Sequence, residues 1–457
     1  MAIFNDIKYS EIKSDRFDAE YYRKDYIENI NLLNSTGEVL KFNRLFKYIK
    51  RGSQPAYSQC GSIKVLRSVN VGKMSFNETR QEYVDQKFFD SNIRGQVKKD
   101  DILITSTGVG TLGRVSIWPY DEKAYCDGHI TILRNSEIDP YFMTVFLNTK
   151  FGAQQFDQNF RGSSGQIEIY PYDISKFIIP EFLLKYQKEI GDLLRRSFEL
   201  QNQSLQSLKQ ANIILDKEFN IELDDSIIDS TNYISSFQEV INGRRLDAEY
   251  YNPEVKSILK KIKTFSHYRV KDVFFIKNGY PWNSAKFIND NSEDLVVRIR
   301  DIKPTFIITK NLTSLPYSYT KNINSPKGKP NDIVVGMDGV NYFYSSILED
   351  DLLINQRVAH LVKKDISPLS SEYVSFIINS RIGQSQLLRD MTIASTVGHI
   401  TNKNISNIYI PYVSEGFHSS ITELVRNSIN CKKLSIQLLE EAKKQVVDLI
   451  ENQANQN

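Results

Sequence analysis

The residues best suited to chemistry are few, and their spacing argues against catalysis. Gly108-Val109-Gly110-Thr111-Leu112-Gly113 has the Gly-x-Gly-x-x-Gly spacing with which a turn cradles a dinucleotide pyrophosphate. That chemistry needs a helix N-terminus directly after the turn. Arg114-Val115-Ser116-Ile117-Trp118 instead has the β-branched and aromatic make-up of a strand, so a β-turn is expected. The five histidines (His129, His267, His360, His399 and His418) lack metal-ligand spacing, and no metal site is expected. Cys60, Cys126 and Cys431 show no pairing pattern and suit a reducing cytoplasm. There is no Pro-Asp dipeptide, the usual opening of a nuclease carboxylate–lysine site, and no Walker glycine–lysine run.

What the chain does contain is a copy of itself. Arg16-Phe17-Asp18-Ala19-Glu20-Tyr21-Tyr22 returns 229 residues later as Arg245-Leu246-Asp247-Ala248-Glu249-Tyr250-Tyr251. Near that offset Leu66-Arg67-Ser68-Val69-Asn70-Val71 answers to Val297-Arg298-Ile299-Arg300-Asp301-Ile302, and Asp101-Ile102-Leu103-Ile104 to Asp332-Ile333-Val334-Val335. Ile174 to Pro180 likewise answers to Ile405 to Pro411. The chain is therefore read as a duplication of about 230 residues per copy.

Each copy opens on a helix at the Asp-Ala-Glu-Tyr-Tyr element and passes into β-rich runs, Val39 to Ile49 and Val270 to Ile276. Turns follow at Gly52 and Gly279, each with a Pro close behind (Pro55, Pro281). Further strands are expected at Ile63–Val71, Asp101–Thr105, Val115–Trp118 and Thr131–Leu133. Asp139 and Pro140 have the types of an N-cap and first residue for a helix through Leu147, with Ser371 to Asn379 as its counterpart. Asp139-Pro140-Tyr141-Phe142 lacks the second proline of the Asp-Pro-Pro-Tyr motif of amino-methyltransferases and is read as a helix cap. Loops rich in Gly, Ser and Thr come next, Arg161 to Gln166 against Thr392 to His399. The alternation predicts an α+β globule, mostly antiparallel, in each copy.

A long amphipathic helix ends each copy. From Lys185 to Phe219, apolar and small residues including Ile190, Leu193, Leu194, Leu205, Leu208 and Ala211 recur at three- and four-residue steps. Ile421, Leu424, Val425, Ile436, Leu439 and Ala442 repeat the stripe 231 residues on. Such a helix extends roughly 50 Å, more than a small domain needs for its own core. Each stripe needs a partner, and the two are expected to pack on one another as an antiparallel coiled coil. The partner helices are read from Ile190, Leu194, Leu205 and Leu208 against Ile421, Val425, Ile436 and Leu439.

Bulk composition fits that plan. A length of 457 residues is too long for one core. The expected divisions are a globule over 1–182, a spacer helix over 183–221, a second globule over 222–413 and a second helix over 414–457. With 40% hydrophobic and 25% charged residues the composition is that of a soluble globular protein, and no run is long and apolar enough for a membrane span. A formal charge of +3 neither requires nor excludes nucleic acid, because a basic groove can coexist with an acidic back.

The Arg-x-Asp-Ala-Glu-Tyr-Tyr openings, the Gly52–Pro55 turn, Asp101-Ile102-Leu103-Ile104-Thr105-Ser106, and Pro180 ahead of a helix containing Gln187 and Ile190 occur in an order that is repeated. Taken together they resemble the DNA-specificity subunits of type I restriction–modification systems over nearly the whole chain. The subunits of type IIB systems are similar. The second copy departs at Met337-Asp338-Gly339, opposite Thr107-Gly108-Val109-Gly110, and at Phe417-His418, opposite Tyr186-Gln187. The resemblance implies two tandem target-recognition domains, each reading one half of a split, asymmetric DNA site. It also implies a helix pair that spaces them and docks two adenine-methyltransferase subunits, and often restriction/translocase subunits. The chain itself would perform no chemistry and hold no cofactor, and S-adenosylmethionine would bind in the partner methyltransferase. The alternative is a scaffold or adaptor whose duplicated globules bind protein; a novel methyltransferase is disfavoured by the absent motifs.

If the copies read different half-sites, residues common to both cannot encode the difference. Arg67 and Arg298, with Asn70 and Asp301, are therefore expected to position phosphates or stabilise the scaffold. Base readout is expected where the copies differ and side chains can fork hydrogen bonds or stack. These positions are Gln54, Tyr57 and Gln59 after Gly52, and Tyr280, Trp282 and Asn283 after Gly279. Arg161, Ser163 and Gln166, with Thr396 and His399, follow. Lys50, Arg51, Arg94, Lys98, Arg114, Lys277 and Lys286 are candidates for phosphate neutralisation. Arg16–Asp18 and Arg245–Asp247 are read as ion pairs that tie down the first helix.

Overall fold

The computed structural model describes residues 12, 16–78, 80–162, 165–219, 234–288, 294–325, 327–340, 342–394 and 397–456. The chain divides into two compact units, Met1–Gln201 with Lys433–Asn457, and Asn202–Lys432. Each unit thus contains one globule and a stretch of both long helices.

In the first unit β1 (Val39–Lys41) pairs with β10 (Ile178–Pro180). A four-stranded sheet runs β2 (Phe46–Arg51), β9 (Ile130–Ser136), β6 (Ile102–Thr105), β7 (Val115–Ile117). A second runs β4 (Glu82–Val84), β3 (Ile63–Leu66), β8 (Ala124–Cys126), β5 (Gln96–Val97). The pairings are antiparallel except β3 with β8. Strand β6 is buried on both faces because one side meets the core that includes Phe142 and Phe146 and the other meets Trp118 and Ile132.

The second unit repeats this order. β11 (Ser266–Arg269) pairs with β23 (Tyr409–Tyr412). One sheet runs β12 (Phe274–Asn278), β20 (Val358–Lys363), β16 (Ile333–Gly336), β18 (Ser345–Ile347). Another runs β14 (Thr313–Leu315), β13 (Asp294–Val297), β19 (Leu352–Ile354), β15 (Lys327–Gly328), with β13 and β19 again parallel. A small sheet β17 (Asp338–Gly339), β22 (Val397–His399), β21 (Thr392–Ala394) has as its first-unit counterpart the bridges Thr107–Glu168 and Arg161–Glu168. The duplication read from sequence identities is thus present as a duplicated strand order.

The repeated opening element works the same way in both units. Arg16 forks onto Asp18 at 2.7 and 2.8 Å and donates to the carbonyls of Gln158, Asn159 and Phe160, which end the helix Lys150–Asn159. Arg245 forks onto Asp247 and reaches the carbonyls of Asp390 and Met391. The guanidinium holds each aspartate carboxyl below its ordinary range. A cation at a helix C-terminus satisfies orphan carbonyls and opposes the dipole.

The long helices span Gln187–Phe219 and Glu415–Ala454. In the first unit Ile190, Leu194 and Phe198 share one core with Ala442, Val446 and Ile450, and Ser197 Oγ lies 2.8 Å from Ser435 Oγ. In the second, Ser204 Oγ lies 2.8 Å from Ser428 Oγ, Asn427 donates to Ser207 Oγ, and Phe219 packs on Phe265 and Phe417. One reading of the stripe is corrected. Leu205 is 64% exposed, and the buried line is Leu200, Ser204, Ser207, Ala211 and Leu215. Leu205 sits one residue, about 100°, off that line. Small hydroxyls occupy its place because two helices in close approach exclude a leucine while serines satisfy one another. Leu208 and Ile436 are half-buried.

Two other sequence expectations change. The runs beginning at Val39 and Val270 are not continuous strands: a helical turn at Phe42–Leu45 interrupts the first, and the second opens on a helical turn, Val270–Val273, before its strand starts at Phe274. The strand from Ile63 ends at Leu66, where Arg67 N–H donates to Asn70 Oδ1 and the chain turns.

Candidate nucleic-acid interface

The loops singled out by sequence converge on one rim of the sheet β2-β9-β6-β7 in the first unit and of β12-β20-β16-β18 in the second. In the first unit, Gly52 N–H donates to Ile130 O and Ser106 N–H to His129 O. Gly108 N–H donates to Ile167 O and Ile169 N–H to Ser106 O, so the turns after β2 and β6 and the 161–168 hairpin are stitched together. In the second, Tyr280 N–H donates to Ile354 O, Gln356 N–H to Tyr280 O, Met337 N–H to Arg357 O and Ile400 N–H to Met337 O. Gly52 and Gly279 are what let the first of these turns close. A Cβ would lie 2.3 Å from Cys126 O at Gly52 and 2.1 Å from Asn355 O at Gly279.

On this rim Gln54, Tyr57, Gln59 and Gln166 are exposed, as are Lys50 and Lys277 at the ends of their strands. Asn283 is exposed, but its Oδ1 already accepts Ala285 N–H and caps a short turn. Tyr280 is half-buried, 4.6 Å from the Trp282 ring. Trp282 is a correction: it is 6% exposed, packs with Val296, Leu315 and Leu353, and its Nε1–H donates to Ile354 O. A side chain whose apolar face and only donor are both used inside the core cannot read a base. Ser163 and Thr396 lie outside the described residues.

The rim cations are mostly engaged. Arg51 bonds Glu168 at 3.1 Å and Ile169 O at 2.8 Å, beneath the Tyr170 ring. The Tyr170 hydroxyl and Arg51 together hold the Glu168 carboxyl below its ordinary range. Arg161 pairs with buried Asp173 at 3.0 Å. Arg114 donates to Gly110 O and closes its own turn. Arg67 binds Arg80 O, and Arg298 binds Thr313 Oγ1. Arg67 N–H and Arg298 N–H meet Asn70 and Asp301 at 3.0 and 2.9 Å, one strand-end cap made twice. In the second unit His399 Nδ1 lies 2.6 Å from Asp338 Oδ1, and Arg357 is 3.3 Å from the same carboxylate. Glu168 and His399 are equivalent positions of the mini-sheet, so the same backbone presents an acid in one unit and an imidazole in the other.

Sequence reasoning missed Arg357 and Arg300, 56% and 62% exposed at the side chain, and the apolar tips Val109 and Val340, 65% and 62% exposed. Val109 and Val340 stand 231 residues apart, and that repeat offset was the signal that could have found them. The turn carrying Val109 leads into strand β7, as its sequence indicated. Phe417-His418, a departure in sequence, keeps the first copy's geometry: His418 Nε2 accepts Ser370 N–H at 3.1 Å as Gln187 Oε1 accepts Asp139 N–H at 2.9 Å.

Among the described residues no cluster of His, Cys, Asp or Glu is placed to hold a metal ion, and no helix is long and apolar enough to cross a membrane. No protein-family model matches the sequence, and no curated protein matches it. The solved structures it is similar to include specificity subunits of type I restriction–modification systems. One is the S subunit from M. genitalium, with 13% identity, 91% of this chain and 94% of that chain covered, and a TM-score of 0.39. Another is the HsdS subunit from Thermoanaerobacter tengcongensis, with 12% identity, 90% and 96% covered, and a TM-score of 0.28. A chain from a study of complex assembly and conformational transition in a type I system matches with 12% identity, 91% and 97% covered, and a TM-score of 0.30.

Proposed function

We propose that this chain is the DNA-binding specificity subunit of a restriction–modification complex. It recognises a bipartite, asymmetric site and directs adenine-N6 methyltransferase subunits, and restriction subunits where present, to it. The observation that carries this reading is that two units with one strand order present different side chains on the same rim. Amides and a tyrosine (Gln54, Tyr57, Gln59, Gln166) stand on the first, and His399, Tyr280 and Arg357 on the second. A fixed frame with exchanged loops is what reading two different half-sites requires. The chain lies in the cytoplasm, where its DNA is.

The long helices pair along their length as an antiparallel coiled coil, and this spacer sets the number of unread base pairs between half-sites. Their outward faces, with exposed Leu205 and Leu434, dock two methyltransferase subunits. The chain itself carries out no reaction. S-adenosylmethionine binds in the partner, whose pocket takes the flipped adenine. The test is a mobility-shift titration on duplex DNA from 50 to 200 mM salt, with and without the cognate methyltransferase. Affinity is expected to fall by about tenfold or more over that range. The purified chain with S-adenosylmethionine is expected to transfer no methyl group. Absence of DNA binding at every salt concentration, or sustained methyl transfer by the chain alone, overturns the reading.

A further inference from the structure

One turn in each unit lies where the rim loops meet, and it carries unlike side chains in the two. In the first unit the turn 127–129 joins β8 to β9. Gly52 abuts the carbonyls of Cys126 and Asp127, Ser106 N–H donates to His129 O, and Asp127 Oδ1 accepts His129 N–H at 2.9 Å. In the second unit the turn 355–357 joins β19 to β20. Gly279 abuts the carbonyls of Ile354 and Asn355, Met337 N–H donates to Arg357 O, and Asn355 Oδ1 accepts Arg357 N–H at 3.2 Å. These contacts match one for one, so His129 and Arg357 stand at the same backbone position. Both are exposed, and each is held by the same neighbour position. His129 Nδ1 lies 2.8 Å from Thr107 Oγ1, and Arg357 Nη1 lies 3.3 Å from Asp338 Oδ2.

The anchoring of Arg357 leaves half of its guanidinium unused. Among the described residues Nε and Nη2 have no partner, and together they form one edge of the planar fork. His399 Nδ1, 2.6 Å from Asp338 Oδ1, steadies the carboxylate that holds the other edge. Two parallel donors suit either guanine, whose O6 and N7 lie side by side in the major groove, or a phosphate. Two observations favour the base. Phosphates are the same under every sequence, so a phosphate contact gives no reason for the copies to differ here. A carboxylate beside the fork also repels a phosphate, whereas toward a neutral base edge it only fixes the plane of the guanidinium.

We infer that Arg357 reads a guanine in the half-site of the second unit, through O6 and N7, and that Asp338 sets the plane in which it does so. The inference rests on the DNA-reading role proposed above and names the base that one position recognises. His129 is the reader at the same place in the first unit. With Nδ1 held by Thr107 it offers Nε2 alone, so it makes one bond where Arg357 makes two and discriminates less.

The full chain with its cognate methyltransferase is used to select duplexes from a random pool. Each guanine of a selected duplex is then replaced in turn by 7-deazaguanine, which lacks N7, and binding is compared by competition mobility shift. The wild type is expected to bind roughly tenfold more weakly or worse when one guanine of one half-site is replaced. Arg357→Ala and Arg357→Lys are expected to lose about 5- to 150-fold of the preference for guanine there, to ignore the 7-deaza replacement, and to keep the wild-type urea midpoint. Asp338→Ala is expected to relax the same position and no other, and Asp338→Asn, which retains an acceptor, to restore most of the preference. His129→Ala is expected to relax the other half-site. A selected split site with no guanine that depends on Arg357 overturns the inference while the DNA-reading role stands, whereas failure to bind any duplex overturns both. Uniform weakening of Arg357→Ala across sequences, with a shallower salt dependence, makes the residue a phosphate contact and overturns the inference. So does relaxation of the same half-site by Arg357→Ala and His129→Ala.

Discussion

Gly52→Ala and Gly279→Ala form a matched pair of perturbations, one per unit. At Gly52 the added methyl would lie 2.3 Å from Cys126 O, 2.4 Å from Asp127 O and 2.7 Å from Cys126 Sγ. An ordinary contact is about 3.5 Å, so backbone must move by roughly 1 Å. The ladder from Tyr48–Arg134 to Arg51–Thr131 holds β2 against β9, so the displacement falls on the segment after Gly52 that carries Gln54, Tyr57 and Gln59. Overpacking against backbone costs about 3 kcal/mol, the upper part of its usual range. Each base pair misread costs about 1–3 kcal/mol, so loss of one or two contacts weakens specific binding by roughly 10- to 100-fold. The assay is competition mobility shift with duplexes altered in one half-site at a time, alongside urea unfolding. Gly52→Ala is expected to lose discrimination at one half-site only, and Gly279→Ala at the other only. A Gly52→Ala chain with unchanged urea midpoint and unchanged discrimination would refute the argument, as would both variants losing the same half-site.

Trp282→Ala is expected to lower the stability of the second unit by about 3–5 kcal/mol in urea unfolding, with no change in base preference for whatever fraction remains folded. His418 gives a pH dependence. Burial holds its imidazole below the ordinary 6.5, against the opposing pull of Glu415, and its Nε2 must be unprotonated to accept Ser370 N–H. The unfolded state therefore takes up the proton first: stability is full above about 6.5 and falls as pH drops through the lower folded value. Urea midpoints of the wild type between pH 7.5 and 5 (roughly the range over which histidine charges) should decline, and His418→Gln should flatten that decline. Inserting seven residues into each long helix lengthens the pair by about 10 Å, and the gap between half-sites should grow by roughly three base pairs at 3.4 Å each. An unchanged gap would count against the spacer.

The frame was legible in the sequence because it is written twice. A strand-end cap such as Arg67–Asn70 leaves its mark at Arg298–Asp301, and Arg16–Asp18 leaves its mark at Arg245–Asp247, so each reading checks the other. Phe417-His418 shows the limit of that check: His418 does the work of Gln187 because an imidazole nitrogen and an amide oxygen are interchangeable acceptors. Periodicity alone misplaced Leu205, since the buried line of a close helix pair can be serine, a residue that hydropathy scores as surface. Trp282 was misassigned for the converse reason. A tryptophan beside a loop glycine has the type of a stacking reader, but only the packing of β13, β14 and β19 decides whether its ring faces solvent or core. Internal ion pairs hid in the same way. Arg51 and Glu168 are 117 residues apart in sequence, and the bond between them requires the hairpin that brings Arg161 onto Glu168.

The central claim, that two copies of one frame read two different words on a single duplex, is tested most directly by selection. The full chain, with its cognate methyltransferase, is presented with a random-sequence duplex pool, and the bound fraction is sequenced after successive rounds. Enrichment of two short, unlike motifs separated by an unread gap of constant length is expected, with an adenine available for methylation in the bound sites. Enrichment of one continuous motif, of two identical half-sites, or of no motif at all would contradict it.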